Sequence, residues 1–504
     1  MKLRQLYFAI TTSIIIILVT SGCGGSHATT LTPVVTGNLM GFVMLDQGNL
    51  AFTRTATNLR AVEGAIISVK GYPALIAISK ADGSFELDKI PAGIRTFYIS
   101  KVGYTRVTFQ QTIQEGNNAA APTDLTTAAK FKWTVMVYMS ADNNMTDQSI
   151  SDMNELEMVG STTDVKLLVQ MDRLDSPGGY EKNYPSLTGC RRFEVTKDTS
   201  ADPGKIVSTE LAYMGAIDSG NPQTLNDFVT WGQTYAPAEH YLVVLWNHGS
   251  GWNPTNDRSL LLSRAIGYDQ TSNGHWIKIP DLNYSLTALH PIDVVAMDAC
   301  YMSMAEVAYQ IRGCAEYMVG SEEASPWIGY AYQNIAAKLT DNPATTSRDL
   351  ANFIAQDAMR EWINEGNEST HSVIDLGQMD ALVEKLNPFC DRLIAIRDNY
   401  QSEIVSSRVN ADPFSNISKD LYTYVSLLRS SINDTDLQLK ADALMAQIKN
   451  STVVSNYTFS LHSKSAGLAI DLQTPYVWTS THSASYSKLK FAADSHWDEW
   501  MAAQ

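Results

Sequence analysis

Tyr241-Leu242-Val243-Val244-Leu245-Trp246-Asn247-His248-Gly249 and Ile292-Asp293-Val294-Val295-Ala296-Met297-Asp298-Ala299-Cys300 are two apolar runs that each stop at a side chain able to do chemistry. Short runs rich in Val, Leu and Ile read as strands buried on both faces of a parallel sheet. Open α/β sheets gather their reactive groups at the carboxyl ends of such strands. An imidazole and a thiol, 52 positions apart in the chain, are thereby expected at one end of one sheet.

The surroundings of the two runs support that reading. Trp133–Met139 is a further strand, ending in Ser140-Ala141-Asp142-Asn143-Asn144, and Val165–Gln170 is another. Helical patterns cover Ser151–Val159, Leu225–Tyr235 and Ser303–Ile311, and Tyr317–Gly320 is again a strand. Longer helices follow at Ser347–Asn364, Met379–Asn399 and Leu437–Lys449, then a strand at Ala466–Leu472 and a helix around Trp497 and Trp500. Strands alternating with helices imply an α/β fold with a mostly parallel sheet covered on both faces.

Upstream the texture differs. Short segments such as Asn38–Met44, Ala65–Val69 and Thr96–Ser100 are punctuated by Gly, Pro and Asp, as in Ala81-Asp82-Gly83-Ser84. They predict a small all-β sandwich over 35–115, joined by a polar linker at 116–130 to a domain at 131–504. The run "VEGAIISVKG…ADGSFELDKIPAGIRTFYISKVGYTRVTF" resembles a carboxypeptidase regulatory-like, transthyretin-like domain. It holds no His, Cys or acidic cluster, so it reads as a spacer or binding module.

Lys2 and Arg4 precede an apolar stretch from Leu6 to Val19, then Thr20-Ser21-Gly22-Cys23. A basic start, a short apolar core and small residues make residues 1–23 a secretory signal. The Ser-Gly-Cys ending resembles a bacterial lipoprotein signal, although Thr20 stands where Leu is usual. It implies export, lipidation of Cys23 and a membrane anchor, with 24–34 as a tether.

Lys plus Arg number 37 against 53 Asp plus Glu, a net charge of −16, which argues against nucleic acid as a partner. Five cysteines (Cys23, Cys190, Cys300, Cys314, Cys390) are few and irregularly spaced, so neither a disulfide framework nor a zinc site is expected. Cys314 and Cys390 fall in or near helices. Cys190, beside Arg191 and Arg192, reads as a loop residue.

A cysteine ending an apolar strand is ordinarily packing, and a lone histidine is ordinarily structural. What singles out this pair is the conjunction of two strand ends, Gly249 after the histidine and Asp298-Ala299 before the cysteine. A thiol attacks a carbonyl only as thiolate, and His248 is the natural base. Gly249 lets its backbone N–H approach a substrate, and with the amide of Cys300 it would form an oxyanion hole. A helix directly after Cys300 would further favour the thiolate.

With "WTVMVYMSADNNM", "WNHGSGW", "DACYMSMAEVAY", "SEEASPWIGYAY", "GLAIDLQTP" and "KFAADSHWDEW" in order, residues 131–504 resemble the clostripain family of cysteine peptidases. The His–Cys spacing is also that of caspases. The resemblance implies a caspase-like α/β/α sandwich, a His248–Cys300 dyad and protein or peptide substrates cut after basic residues. No cofactor is required for the chemistry. Calcium dependence is also implied. Self-cleavage is also implied, with Arg192, Arg258 and Arg264 as candidate sites.

Asp298 matches the family aspartate at the pocket for the basic side chain, where a carboxylate would pair with Arg or Lys. The other reading is that it caps the following helix. Trp327 and Tyr330 depart from the family's Pro-Gly-x-Gly-Trp pattern, so Trp327 is expected to reshape the pocket wall. Glu322 and Glu323 are pocket or calcium candidates. Two rival functions stay open: a catalytically silent surface-binding lipoprotein, and a cysteine hydrolase or transpeptidase acting on non-protein amides.

Overall fold

The computed structural model describes residues 35–46, 59–70, 72–101, 104, 107–120, 123–125, 131–174, 187–200, 205–252, 266–415, 418–478 and 480–504. Cys23, Arg258 and Arg264 lie outside the described residues. Among the described residues no helix is long and apolar enough to cross a membrane.

Thr36–Asp46 pairs antiparallel with Leu59–Ala61 and Ser84–Pro91. A second sheet orders Tyr72–Ile78, Ile66–Val69, Gly93–Ser100 and Val107–Ile113. Leu39, Val43 and Phe85 from the first sheet share a core with Ile67, Phe97 and Ile99 from the second. This β region runs beyond residue 115, because Gly116–Ala119 and Thr123–Leu125 lie parallel to the first strand. The extension is polar and carries no apolar alternation. Asn118 secures it by donating to the carbonyls of Asn38 and Gln114.

The larger unit is built on one nine-stranded sheet. Its order is Thr209–Gly215, Gly189–Glu194, Val165–Arg173, Phe131–Ala141, Ala238–Trp246, Ile292–Asp298, Ala315–Gly320, Thr370–Asp375 and Val453–Thr458. The five central strands are parallel, and two antiparallel strands flank them at each edge. Successive side chains of a strand point to opposite faces. Tyr241, Val243 and Leu245 thus enter one core with the helices Pro222–Tyr235, Ala305–Ile311 and Met379–Ile396. Leu242 and Val244 enter another with Thr146–Glu157, Tyr332–Asp341 and Ser347–Asn364. The result is an α/β/α sandwich.

Cys190 sits in the strand Gly189–Glu194 rather than in a loop. The two arginines that gave this segment a loop-like look are covered by neighbours. Arg192 donates to Gln170 at 2.8 Å and lies 4.6 Å over the Trp231 ring, and Arg191 lies 4.5 Å over Tyr213.

Candidate active site

The histidine strand and the cysteine strand are immediate parallel neighbours, in register from Leu242 with Val294 to Trp246 with Asp298. Both runs therefore stop at the same level, and the residues that follow them meet. A Cβ at Gly249 would lie 2.3 Å from the carbonyl oxygen of Cys300 and 2.9 Å from its nitrogen. Only glycine permits that approach, which brings the two expected oxyanion donors side by side.

Burial pushes the Cys300 thiol up from its ordinary range, while hydrogen bonds from the N–H groups of Ser325 and Gly249 pull it the other way. The Ser325 N–H is 3.3 Å from Sγ. The resting group is thus a thiol that needs a base. The expected helix-end effect does not operate: the next helix is only seven residues long and begins at Ala305, with Met304 at its N-cap position making no side-chain capping bond. The intervening turn instead holds Tyr301 at φ +61°, its N–H bonded to the Glu323 carbonyl at 3.0 Å. A left-handed tyrosine is uncommon and turns the chain sharply away from the thiol.

His248 is buried, with its ring edge-on to Trp327 at 6.0 Å between centroids. Its Nε2 is 2.8 Å from Oδ1 of Asn144, a residue from the loop after Phe131–Ala141. Asn144 was not among the residues singled out from the sequence. Its signals were a polar run at the carboxyl end of the strand beside the histidine strand and a place within the block WTVMVYMSADNNM. Four residues beyond the histidine, Trp252 donates to Asp471 at 2.9 Å, and His482 contacts the same carboxylate oxygen at 2.8 Å. The carboxyl-terminal segment thereby anchors the histidine loop.

Asp298 does not cap a helix. It is buried and accepts from the Tyr330 N–H at 3.2 Å and the Tyr332 hydroxyl at 2.9 Å. Gly329, at φ +60°, packs so close that a Cβ would be 2.8 Å from its Oδ2. Burial pushes the Asp298 carboxyl up to about 6. Burial likewise raises Glu155 to about 7, and Asp152 well above its ordinary value, with Asp298 adding to both. Asp152 accepts from the Trp246 indole and Glu155 from the Tyr332 N–H. No lysine or arginine among the described residues neutralises these three carboxyls.

The remaining candidates separate. Trp327 is 54% exposed at the mouth of the site, next to the imidazole. Glu322 points into the protein, fully buried beside Asp420 and Ser465, and burial raises its carboxyl well above the usual range. Glu323 faces His462 at 3.3 Å. Among the described residues no group of three or more acidic, histidine or cysteine side chains is arranged to hold a metal ion. Cys190 and Cys390 are buried, and burial raises both thiols far above their ordinary range.

The profile of the clostripain family, Peptidase C11, matches residues 137–503. Clostripain of Hathewaya histolytica is 27% identical over 234 residues, 43% of this chain and 44% of its own length, so the match spans under half of that relative. A secreted C11 cysteine protease from Bacteroides thetaiotaomicron, solved with an irreversible peptide inhibitor, superposes with a TM-score of 0.53 at 22% identity. That alignment covers 74% of this chain and 99% of the other. An inactive zymogen C11 protease from Parabacteroides distasonis gives 0.54 at 22% identity over 72% and 98%. These two solved structures share the fold of the larger unit. The chain belongs to the clostripain family of cysteine peptidases.

Proposed function

We propose that the chain is an exported cysteine endopeptidase, anchored through a lipid on Cys23, that cleaves after Arg or Lys with His248 and Cys300 as its dyad. The observation that carries this reading is the backbone contact between Gly249 and Cys300 at the ends of paired strands. His248 takes the thiol proton as Sγ bonds to the scissile carbonyl carbon. The amides of Gly249 and Cys300 receive the developing oxyanion. As the C–N bond breaks, the imidazolium gives its proton to the departing amine, leaving a thioester. Water then attacks the thioester with His248 again as base, releasing the carboxylate product and restoring the thiol.

Asp298, two residues from the nucleophile and without a cationic partner among the described residues, favours a basic P1 side chain. A fluorogenic peptide series varying P1, run with calcium and with a chelator, tests the reading. Cys300→Ala and His248→Ala each lower kcat/KM by about 10⁴-fold or more. Asp298→Asn lowers it on Arg and Lys substrates by about 10- to 100-fold, and little on neutral ones. Activity retained in both Ala variants sinks the dyad, whereas a neutral P1 preference in the unmodified enzyme sinks only the Asp298 assignment. Incorporation of labelled fatty acid that is lost in Cys23→Ala tests the anchor.

A further inference from the structure

We infer that Asn144 is a positioning residue for this site, holding His248 so that Nδ1 is the atom that takes the thiol proton. The inference rests on the proposed dyad and adds a member to it. An amide oxygen can only accept a hydrogen bond. Oδ1 of Asn144, 2.8 Å from Nε2, therefore selects the tautomer that carries the proton on Nε2 and the lone pair on Nδ1. It goes on accepting from Nε2 when the ring becomes cationic, so the same contact serves both halves of the proton shuttle. Being neutral, it does so without the strong rise in imidazole basicity that a carboxylate would bring.

The contact is built from both sides. Asn143, beside Asn144, donates to the carbonyls of Ser140 at 2.8 Å and Tyr268 at 2.9 Å, and accepts from the Met145 N–H at 2.8 Å. Asn247, beside His248, donates to the same two carbonyls and accepts from the Tyr268 N–H at 3.1 Å. The neighbours of both partners are thus fastened to one pair of backbone oxygens. This fixes the loop after the first central strand against the histidine loop.

The test compares the unmodified chain with Asn144→Ala, Asn144→Asp and His248→Ala. Two pH profiles are read for each protein: kcat, and the rate of Cys300 alkylation by iodoacetamide followed by mass spectrometry. The titratable groups around the thiol (Cys300 itself, Asp298 and Glu323) are common to all four proteins.

Asn144→Ala is expected to lower kcat by about 10²-fold with KM within about threefold. Asn144→Asp is expected to retain more activity and to move the limb belonging to His248 about one unit to higher pH, since a carboxylate favours the imidazolium. An unmoved limb in Asn144→Asp, or an unchanged kcat in Asn144→Ala, overturns the role. Should the alanine variant fail to fold, the near-isosteric aspartate decides alone. If His248→Ala alkylates with the unmodified pH profile, the dyad itself falls. If it does not, and the Asn144 variants match the unmodified chain, the dyad stands and only Asn144 is dismissed.

Discussion

At Asp298 the proposed role sets two demands on one side chain: it must be buried to sit under a substrate side chain, and charged to attract one. Burial lifts its carboxyl to about 6, a rise already limited by the bonds from the Tyr330 N–H and the Tyr332 hydroxyl. Near neutral pH the group is ionised and able to pair with a cation, and below about 6 it becomes neutral. KM for Arg and Lys substrates is therefore expected to rise as the pH falls through about 6. In Asp298→Asn that dependence disappears, and KM for neutral substrates is flat over the same range. Steady-state kinetics on paired Arg and Leu peptides checks this, and a parallel rise for both would reject it. The sequence pointed to this aspartate because it stands two residues before the thiol. It did not reveal the partners, since Tyr330 and Tyr332 arrive from over thirty residues downstream. Asn144 was hidden for the same reason: its tie to His248 joins two polar loops, which carry no periodicity.

The helix Ser347–Asn364 shows how an element far from Cys300 bears on the proposed pocket. Thr346 caps it by accepting from the Asp349 N–H, and its apolar face carries Leu350, Ile354, Ala358 and Trp362 into the core. Its limits were legible to the residue because cap and apolar spacing agree. Trp362 donates to the Gly329 carbonyl at 2.7 Å, and Tyr330 donates to the Met297 carbonyl at 3.0 Å. Gly329-Tyr330 is thereby pinned between this helix and the Asp298 strand. Gly329→Ala would force a left-handed alanine at a cost of about 1–2 kcal/mol and drive its methyl into the aspartate. Expected are a lower melting temperature and a loss in kcat/KM greater for Arg than for Leu substrates. Equal losses on both would show that the segment does not shape the basic pocket.

Taken whole, the larger unit keeps many carboxyls inside with few cations. Burial lifts Glu306 from 4.5 to about 8 and Asp172 from 3.8 to about 8. Glu306 accepts from the Asp471 N–H at 2.9 Å and the Tyr486 hydroxyl at 3.0 Å, joining the carboxyl-terminal helices to the network that anchors Trp252. Each such carboxyl keeps its proton in the folded state to higher pH than in the unfolded chain. Stability therefore drains away as the pH rises from about 4.5 through about 8. The melting temperature is expected to fall across that window. Glu306→Gln, which keeps both accepted bonds, is expected to melt higher than the unmodified chain at pH 8 by about 2 °C or more. Scanning calorimetry at several pH values decides it, and coincident curves would reject it. None of this was legible in composition, because a net charge of −16 does not say which acids are inside. The apolar strands that fold the sheet announce themselves, whereas the acids it encloses are known only after it has closed.

Trp327 has one more consequence. Of the ten tryptophans it alone is exposed, and its ring stands edge-on to His248, the imidazole proposed to shuttle the proton. An indole in that place is expected to emit at the red edge of the protein's fluorescence, and to respond to the charge on His248 and to a peptide bound across the proposed site. The residue that departs from the family pattern would thus give the molecule its own optical gauge of occupancy.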